Sequence, residues 1–228
     1  MRKIVAGAYI SLDGVMQAPG APEEDPTGGF KHGGWVAAYW DDVIGAAMDE
    51  TFAAPFDLLL GRKTYDIFAA HWPYIETDPE KSAFDKLVAD VARTFNSAIK
   101  YVATRSPQTL AWQNSELLGS DIVTTLKELK TKSGPTLLIQ GSSDLIQTLL
   151  KHDLIDEFRL VIFPIVLGKG KRLFGEGTLP AAFRLVKSRN SPNGAFIATY
   201  ERAGDVETGS FAMEEPTEAE LERRKHLA

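Results

Sequence analysis

The sequence predicts one α/β domain in which a mostly parallel sheet carries helices on both faces and ends in an antiparallel hairpin. Up to about residue 151, short β-rich segments alternate with segments whose apolar residues recur at helical spacing. Such alternation is typical of parallel sheets built from strand–helix–strand units. Further on, two β-rich segments at 183–188 and 195–202 flank a Pro- and Gly-containing turn, which indicates a hairpin.

Local residue patterns predict the individual strands, helices and loops. Segments rich in β-branched and large apolar residues predict strands at 3–12, 56–60, 100–104, 110–113, 136–139 and 158–163. Helical spacing and capping residues predict helices at 35–52, from Thr64 onward, and at 79–95, 121–132 and 144–151. The Pro- and Gly-rich segment 17–34 predicts a long loop of the kind that often covers a binding site. We expect a domain over 1–203 and a polar tail over 204–228, with a short helix from Pro216.

Composition excludes several classes of function. The absence of cysteine excludes disulfides and thiolate catalysis, and the four histidines have no metal-ligand spacing, so we expect no metal site. The net charge of -6 argues against a nucleic-acid partner. Because no run of about 18 apolar residues is present and the amino-terminal strand soon turns polar, we expect a cytoplasmic protein without a membrane span.

Polar residues and glycines follow three of the predicted strands, where ligands of open α/β sheets collect. The first group is Gly61, Arg62, Lys63 and Thr64. Glycine allows close approach of a ligand, and the N–H groups and hydroxyl at a helix start can hold a phosphate. An ordinary strand-to-helix turn with solvated basic residues is the alternative. Neither a GxGxxG motif nor a P-loop is present.

The other two strand ends extend this hypothesis. Gly141, Ser142 and Ser143 offer N–H groups and hydroxyls at a second helix start, although Ser143 or Asp144 would equally serve as a helix cap. Arg105 would add a third polar contact if the three strands are neighbours. Two phosphate sites with basic rather than acidic neighbours favour NADP over NAD.

Four segments carry a resemblance to a known family. They are IVAGAYISLDGVM, LLLGRKTYDIFAAHWP, LLIQGSSDLIQTLL and DEFRLVIFPIVLGKGKRLF, at 4–16, 58–73, 137–150 and 156–174. In this order and spacing they resemble the dihydrofolate reductase-like superfamily. The nearest resemblance is to its bacterial branch related to the reductase domain of bifunctional riboflavin-biosynthesis deaminase-reductases. The resemblance covers about residues 1–202.

The resemblance implies NADPH as the cofactor and gives roles to site residues. The phosphates would be bound by Gly61, Arg62, Lys63 and Thr64, the adenosine side by Thr104, Arg105 and Ser106, and the pyrophosphate by Gly141, Ser142 and Ser143. Two serines stand there in place of the family's glycines. The first strand would line the nicotinamide and substrate pocket with Ala8, Tyr9 and Ser11.

The resemblance also implies a catalytic acid and a subunit contact. Dihydrofolate reductases carry a carboxylate on the first helix. Counting back from Gly61 by the family's spacing gives a position near Gly45, which is not acidic. Of the nearby acids, Asp41 borders the apolar face of the predicted helix and is the better candidate for the catalytic acid. Because family relatives pair and residues 165–174 mix apolar and basic side chains, we expect a homodimer.

These observations predict an NADPH-dependent reductase of a small heterocyclic substrate, pterin-like or ribosylamino-pyrimidine-like. A true dihydrofolate reductase and a non-catalytic nucleotide-binding protein are the alternatives, since a fold does not determine a function.

Overall fold

The computed structural model describes residues 1–105, 109–176, 178–211 and 215–227. Within these ranges the strands form one eight-stranded sheet of order β4-β3-β2-β5-β1-β6-β8-β7. The strands are β1 Ile4–Ser11, β2 Phe56–Gly61, β3 Lys100–Ala103, β4 Ser115–Leu117, β5 Thr136–Gln140, β6 Glu157–Phe163, β7 Ala182–Asn190 and β8 Phe196–Gly204. The first six named pair in parallel, whereas β8 runs antiparallel to both β6 and β7. The predicted parallel sheet with a carboxyl-terminal hairpin is confirmed.

Helices cover both faces of this sheet, as predicted. They are α1 Asp42–Phe52, α2 Arg62–Ala69, α3 Lys86–Ser97, α4 Ile122–Thr131 and α5 Ser143–Lys151. A further helix, α6 Glu218–Arg224, lies in the tail. Alternate residues of a strand point to opposite faces. Accordingly Ile4 and Ala6 pack in a core with α4 and α5, while Val5 between them packs in a second core with α2 and α3.

Two predicted helix starts lie further along the chain in the structure. The helix predicted at 35–52 begins only at Asp42, because the extended backbone of Asp41 ends the preceding segment and its carboxylate caps the new helix. The helix predicted at 79–95 likewise begins at Lys86, where Asp85 accepts a hydrogen bond from the N–H of Val88.

Two further predicted elements are displaced along the chain in the structure. Helix α2 begins at Arg62 with Gly61 as its N-cap, so Thr64 lies inside the first turn instead of capping it. No strand forms at 110–113, because the N–H of Trp112 is bonded to the Tyr65 hydroxyl at 2.9 Å instead of to a sheet neighbour. The edge strand is Ser115–Leu117.

The segment 17–34 is held against the domain by side chains. The Gln17 amide donates to the carbonyls of Asp25 and Thr27, both at 2.9 Å, and accepts from the N–H of Lys171 at 3.0 Å. The indole of Trp35 closes the segment by donating to the Gln17 carbonyl at 2.9 Å. In the tail, helix α6 buries none of its residues. Among the described residues, no helix has both the length and the apolar composition to cross a membrane.

A buried ion pair joins the amino ends of the central strands. Arg2 and Asp57 are each only 6% exposed, and the guanidinium is paired with the carboxylate. Arg2 also donates through Nε to the Pro135 carbonyl at 2.6 Å and lies over the ring of Tyr101 at 5.4 Å. Asp57 accepts from the N–H of Ile99 at 3.3 Å. One pair therefore contacts the segments that enter β1, β2, β3 and β5.

We predict that Asp57→Asn lowers the free energy of unfolding by about 3 to 5 kcal/mol, because it leaves the Arg2 charge buried without its counter-ion. Urea titration followed by circular dichroism measures the change. The double variant Arg2→Met/Asp57→Leu removes both charges and should recover most of the loss. A single variant as stable as wild type would contradict the prediction, as would a double variant no better than the single one.

Candidate active site

A long cleft of about 2400 Å³ crosses one face of the sheet. It is lined by residues of β2, β5, β1, β6, β8 and β7, by helices α1 and α2, and by the segment 16–25. Drug-sized ligands occupy pockets of about 300 to 1,000 Å³. The cleft is therefore large enough for a dinucleotide and a second small molecule side by side.

The three strand ends singled out in the sequence are neighbours in the sheet. Strands β3, β2 and β5 are adjacent, and Gly61 pairs with Ala103, so Thr104 and Arg105 lie beside the start of α2. Both residues line the cleft. Ser106, predicted to belong to the same site, lies outside the described residues.

The two glycine turns contact each other directly. The N–H of Gly61 donates to the hydroxyl of Ser142 at 2.8 Å, and a Cβ on Gly61 would lie 3.2 Å from that side chain. Gly141 has a φ of +91° and lies against Thr64. The helices that follow, α2 and α5, thus present their amino ends to one place in the cleft, where the N–H groups of a first helical turn and the helix dipole favour an anion.

Ser142 itself adopts a left-handed conformation, with φ +69° and ψ +63°. This region is unfavourable for residues other than glycine, so the serine stores strain at the turn. Its hydroxyl compensates by accepting the Gly61 bond, and the same hydroxyl keeps its own hydrogen to donate to a ligand.

Basic side chains surround the glycine turns. The guanidinium of Arg62 is paired with Asp66 one helical turn further on, at 2.9 Å. The ammonium of Lys63 donates to the Thr27 hydroxyl at 3.3 Å and so joins the turn to the segment 17–34. Arg105 is exposed, and Ser143 lines the cleft as the first residue of α5. The structure therefore brings the predicted phosphate-binding residues that it describes to one end of the cleft.

The middle of the cleft is formed by β1 and its neighbour β5. Gly7 lies opposite Gln140, whose amide nitrogen would be 2.7 Å from a Cβ on Gly7. Ala8 and Tyr9 both line the cleft. The ring of Tyr9 packs edge-on against Trp40 and Phe163, and burial raises the pKa of its hydroxyl to about 12. Tyr9 therefore stays protonated at neutral pH.

Two predicted site residues have structural contacts away from the cleft. Ser11 is fully buried, and its hydroxyl donates to Asp13 at 2.6 Å and accepts from the N–H of Val15 at 2.9 Å. Neither Ser11 nor Asp41 lines the cleft.

The carboxylate of Asp41 instead caps α1 by accepting from the N–H groups of Val43 and Ile44. It also accepts from the hydroxyl of Ser191 at 2.5 Å, and this bond lowers the pKa of the Asp41 carboxyl. The structure gives Asp41 a capping role because its extended backbone directs the carboxylate back onto the first turn of the helix. It does not support Asp41 as the catalytic acid.

The other end of the cleft carries charged residues that the sequence interpretation missed. They are Glu50 of α1, Glu157 and Arg159 of β6, and Lys187 and Arg189 of β7. Arg159 pairs with Glu157 at 2.7 Å, and the Lys187 ammonium beside Glu50 lowers the pKa of that carboxyl. In β6 the charged residues alternate with buried Phe158 and Leu160. That alternation could have identified these residues from the sequence, because it indicates a polar face on a strand that is otherwise buried.

The segment 17–34 contributes a further carboxyl group to the cleft. Glu24 lines the cleft and accepts from the N–H groups of Gly20 and Ala21 at 2.7 and 3.2 Å. Burial raises the pKa of the Glu24 carboxyl. Beside it, Asp25 is paired with Lys171, which fixes this wall to the loop after β6.

Known structures with the same arrangement define the class of fold as dihydrofolate reductase-like. Dihydrofolate reductase from Enterococcus faecalis, solved with NADP(H), superposes with a TM-score of 0.51 at 14% identity, over 88% of this chain and 96% of that one. A Thermotoga maritima diaminohydroxyphosphoribosylaminopyrimidine deaminase/5-amino-6-(5-phosphoribosylamino)uracil reductase gives a TM-score of 0.53 at 17% identity. That match covers 89% of this chain and 57% of the larger Thermotoga protein.

Within that class, the chain belongs to the family of the RibD C-terminal domain. The model of this family matches residues 2–197. The uncharacterized protein YyaP of Bacillus subtilis is 30% identical over 208 residues, which cover 89% of this chain and 96% of YyaP. The resemblance inferred from the four sequence segments is thereby confirmed.

We predict that Ser142→Ala is more destabilising than Ser142→Gly. Alanine loses the bond to Gly61, leaving an unpaired N–H that costs about 1 to 3 kcal/mol, and it keeps the left-handed strain. Glycine loses the same bond but relieves the strain, so it should be about 1 kcal/mol more stable than alanine. Urea unfolding of both variants measures the difference, and equal stabilities would show that the strain is absent.

Proposed function

We propose that the protein is an NADPH-dependent reductase that transfers hydride to a small heterocyclic substrate. The observation that carries the proposal is the junction of the two glycine turns at the ends of β2 and β5. The family supports it, because the Thermotoga protein of this fold is named as a reductase and the Enterococcus enzyme was solved with NADP(H).

The residues at the junction fit a dinucleotide that carries an additional phosphate. The close approach of Gly61 to Ser142 leaves little space there for a Cβ, so backbone N–H groups and hydroxyls would be the nearest donors to a bound anion. Thr64 and Ser143 would hold the phosphates at the two helix starts. Arg62, Lys63 and Arg105 would supply the positive charge that a 2'-phosphate requires.

Bound NADPH would supply the hydride, and the protein's own residues would bind and orient the two reactants. Gly7 has no side chain and so leaves room for the amide of Gln140, which lines the cleft and could orient a ring by hydrogen bonds. Tyr9 and Trp40 offer apolar ring surface next to that position. The segment 16–25 lines one wall of the cleft and would limit the access of water from that side.

The substrate would be pterin-like or ribosylamino-pyrimidine-like. A true dihydrofolate reductase is less well supported, because Asp41 caps a helix and does not line the cleft. A nucleotide-binding protein without turnover is the alternative from another class. Fluorescence titration with NADPH, followed by a substrate screen that includes dihydrofolate, separates the three, since binding without turnover of any candidate would favour the last.

We predict that Arg62→Ala weakens NADPH binding by about 1.5 to 3 kcal/mol and leaves NADH binding nearly unchanged, because only NADPH offers a phosphate for charge-assisted bonds. Arg93→Ala is the matched control, since Arg93 forms a similar pair within α3, with Asp90 at 2.7 Å, and does not line the cleft. Equal losses for both cofactors, or no loss for either, would reject the phosphate pocket.

We also infer a homodimer. Val166 and Phe174, in the loop after β6, are exposed apolar residues, and so are Leu185 and Val186 on β7. Strand β7 is at the edge of the sheet, where unpaired backbone groups can pair with a second chain. Light scattering at micromolar concentration should give about twice the monomer mass of 25.0 kDa, and a mass near 25.0 kDa would reject the dimer.

A further inference from the structure

The β7 end of the cleft has a charged surface that the proposed cofactor would not use. Arg159 of β6 lies opposite Thr199 of β8, which lies opposite Lys187 of β7. In the next row, Ile197 of β8 lies opposite Arg189. Residues that pair across strands point to the same face, so Arg159, Lys187 and Arg189 form one cationic surface in the cleft.

This cationic surface is far from the glycine turns. Four strand spacings separate β5 from β7 and five separate β2 from β7, which amounts to roughly 19 and 24 Å. The cations near Gly61 and those on β7 therefore belong to different parts of the cleft, and one phosphate group cannot contact both.

Two carboxylates neutralise part of this surface. Glu157 of β6 pairs with Arg159 at 2.7 Å, and the other carboxylate comes from the opposite wall. Glu50 of α1 accepts from Lys187 at 2.7 Å and from Arg189 at 2.9 Å. About half of the Glu50 side chain is exposed to solvent, 49%. An exposed ion pair of this kind is weak, so an anionic ligand could replace the carboxylate.

Arg189 still has donors that Glu50 does not use. Its Nη1 donates to Glu50, whereas Nε and Nη2 are buried and have no hydrogen-bond partner among the described residues. These two nitrogens form one edge of the guanidinium plane, the edge that binds a carboxylate or phosphate through two parallel bonds. Buried donors without partners are rare in proteins, and an oxyanion that took the place of the Glu50 carboxylate would satisfy them.

We propose that Arg189, Lys187 and Arg159 form an oxyanion subsite for the substrate, and that Glu50 occupies it as an internal substitute until an anionic substrate displaces it. The substrate of the cleft would then carry a phosphate or carboxylate group in addition to its ring. The assignment of this anion to a substrate rests on the proposed reductase function. The subsite itself is a property of the apoprotein and can be tested without cofactor or turnover.

The test is isothermal titration of the cofactor-free protein with three probes that share a ring. Phenyl phosphate and benzoate carry the two candidate oxyanions, and benzyl alcohol carries none. The variants are Glu50→Gln, Arg189→Ala and Arg189→Lys. Arg184→Ala is the matched control, because Arg184 lies on the same strand and pairs with Glu201 at 2.9 Å but does not line the cleft.

We predict that at least one oxyanion probe binds and that benzyl alcohol does not. Glu50→Gln should tighten binding several-fold, because the competing charge is removed. Arg189→Ala should weaken binding by about tenfold or more. Arg189→Lys should restore only part of the affinity, since an ammonium cannot form the two parallel bonds. Arg184→Ala should leave the affinity unchanged.

Several outcomes would overturn the subsite. Binding that is unaffected by Arg189→Ala or weakened by Glu50→Gln would do so, as would the absence of binding by both oxyanion probes. Binding that is sensitive to Arg62→Ala but not to Arg189→Ala would assign the anion to the glycine turns instead. A failure of NADPH to bind would reject the proposed function and leave these titrations interpretable, so the two failures are distinguishable.

Discussion

The sheet depends on the buried pair of Arg2 and Asp57. A carboxylate and a guanidinium this deeply buried are tolerated only with each other and with their further hydrogen bonds, and those bonds reach the segments that enter β1, β2, β3 and β5. Asp57 lies four residues before Gly61 on the same strand, about 13 Å away. A shift of one residue would send every side chain of β2 to the opposite face. The pair therefore fixes the alignment that brings Gly61 to Ser142.

The meeting of the glycine turns at one end of the cleft was predictable because its signals are local. Gly61 and Gly141 each follow a short buried strand and precede a helix, and the rule that ligands gather at such strand ends connects them. The case of Asp41 differs. An acidic residue just before a helix is compatible with both a capping and a catalytic role, and only the backbone conformation distinguishes them. The pattern of residues does not contain that information.

The charged end of the cleft was not predictable for a geometric reason. Glu50 and Lys187 are 137 residues apart in the chain. In β7 the register shifts between Leu185 and Lys187, so Leu185 lies opposite Tyr200 and Lys187 lies opposite Thr199. These two β7 residues therefore face opposite sides of the sheet although they are two positions apart, contrary to the regular alternation of a strand. Counting along the sequence misassigns the face of one of them.

The bond between Gly61 and Ser142 has a thermodynamic consequence for ligand binding. It joins the starts of α2 and α5, so the donors of both turns are ordered when the chain folds. Little conformational entropy would then remain to be lost on binding of the proposed dinucleotide. The unfavourable left-handed backbone of Ser142 lowers the stability of the fold and does not lower the affinity for a ligand. Affinity at this end of the cleft should accordingly depend on charge and desolvation more than on ordering of the turns.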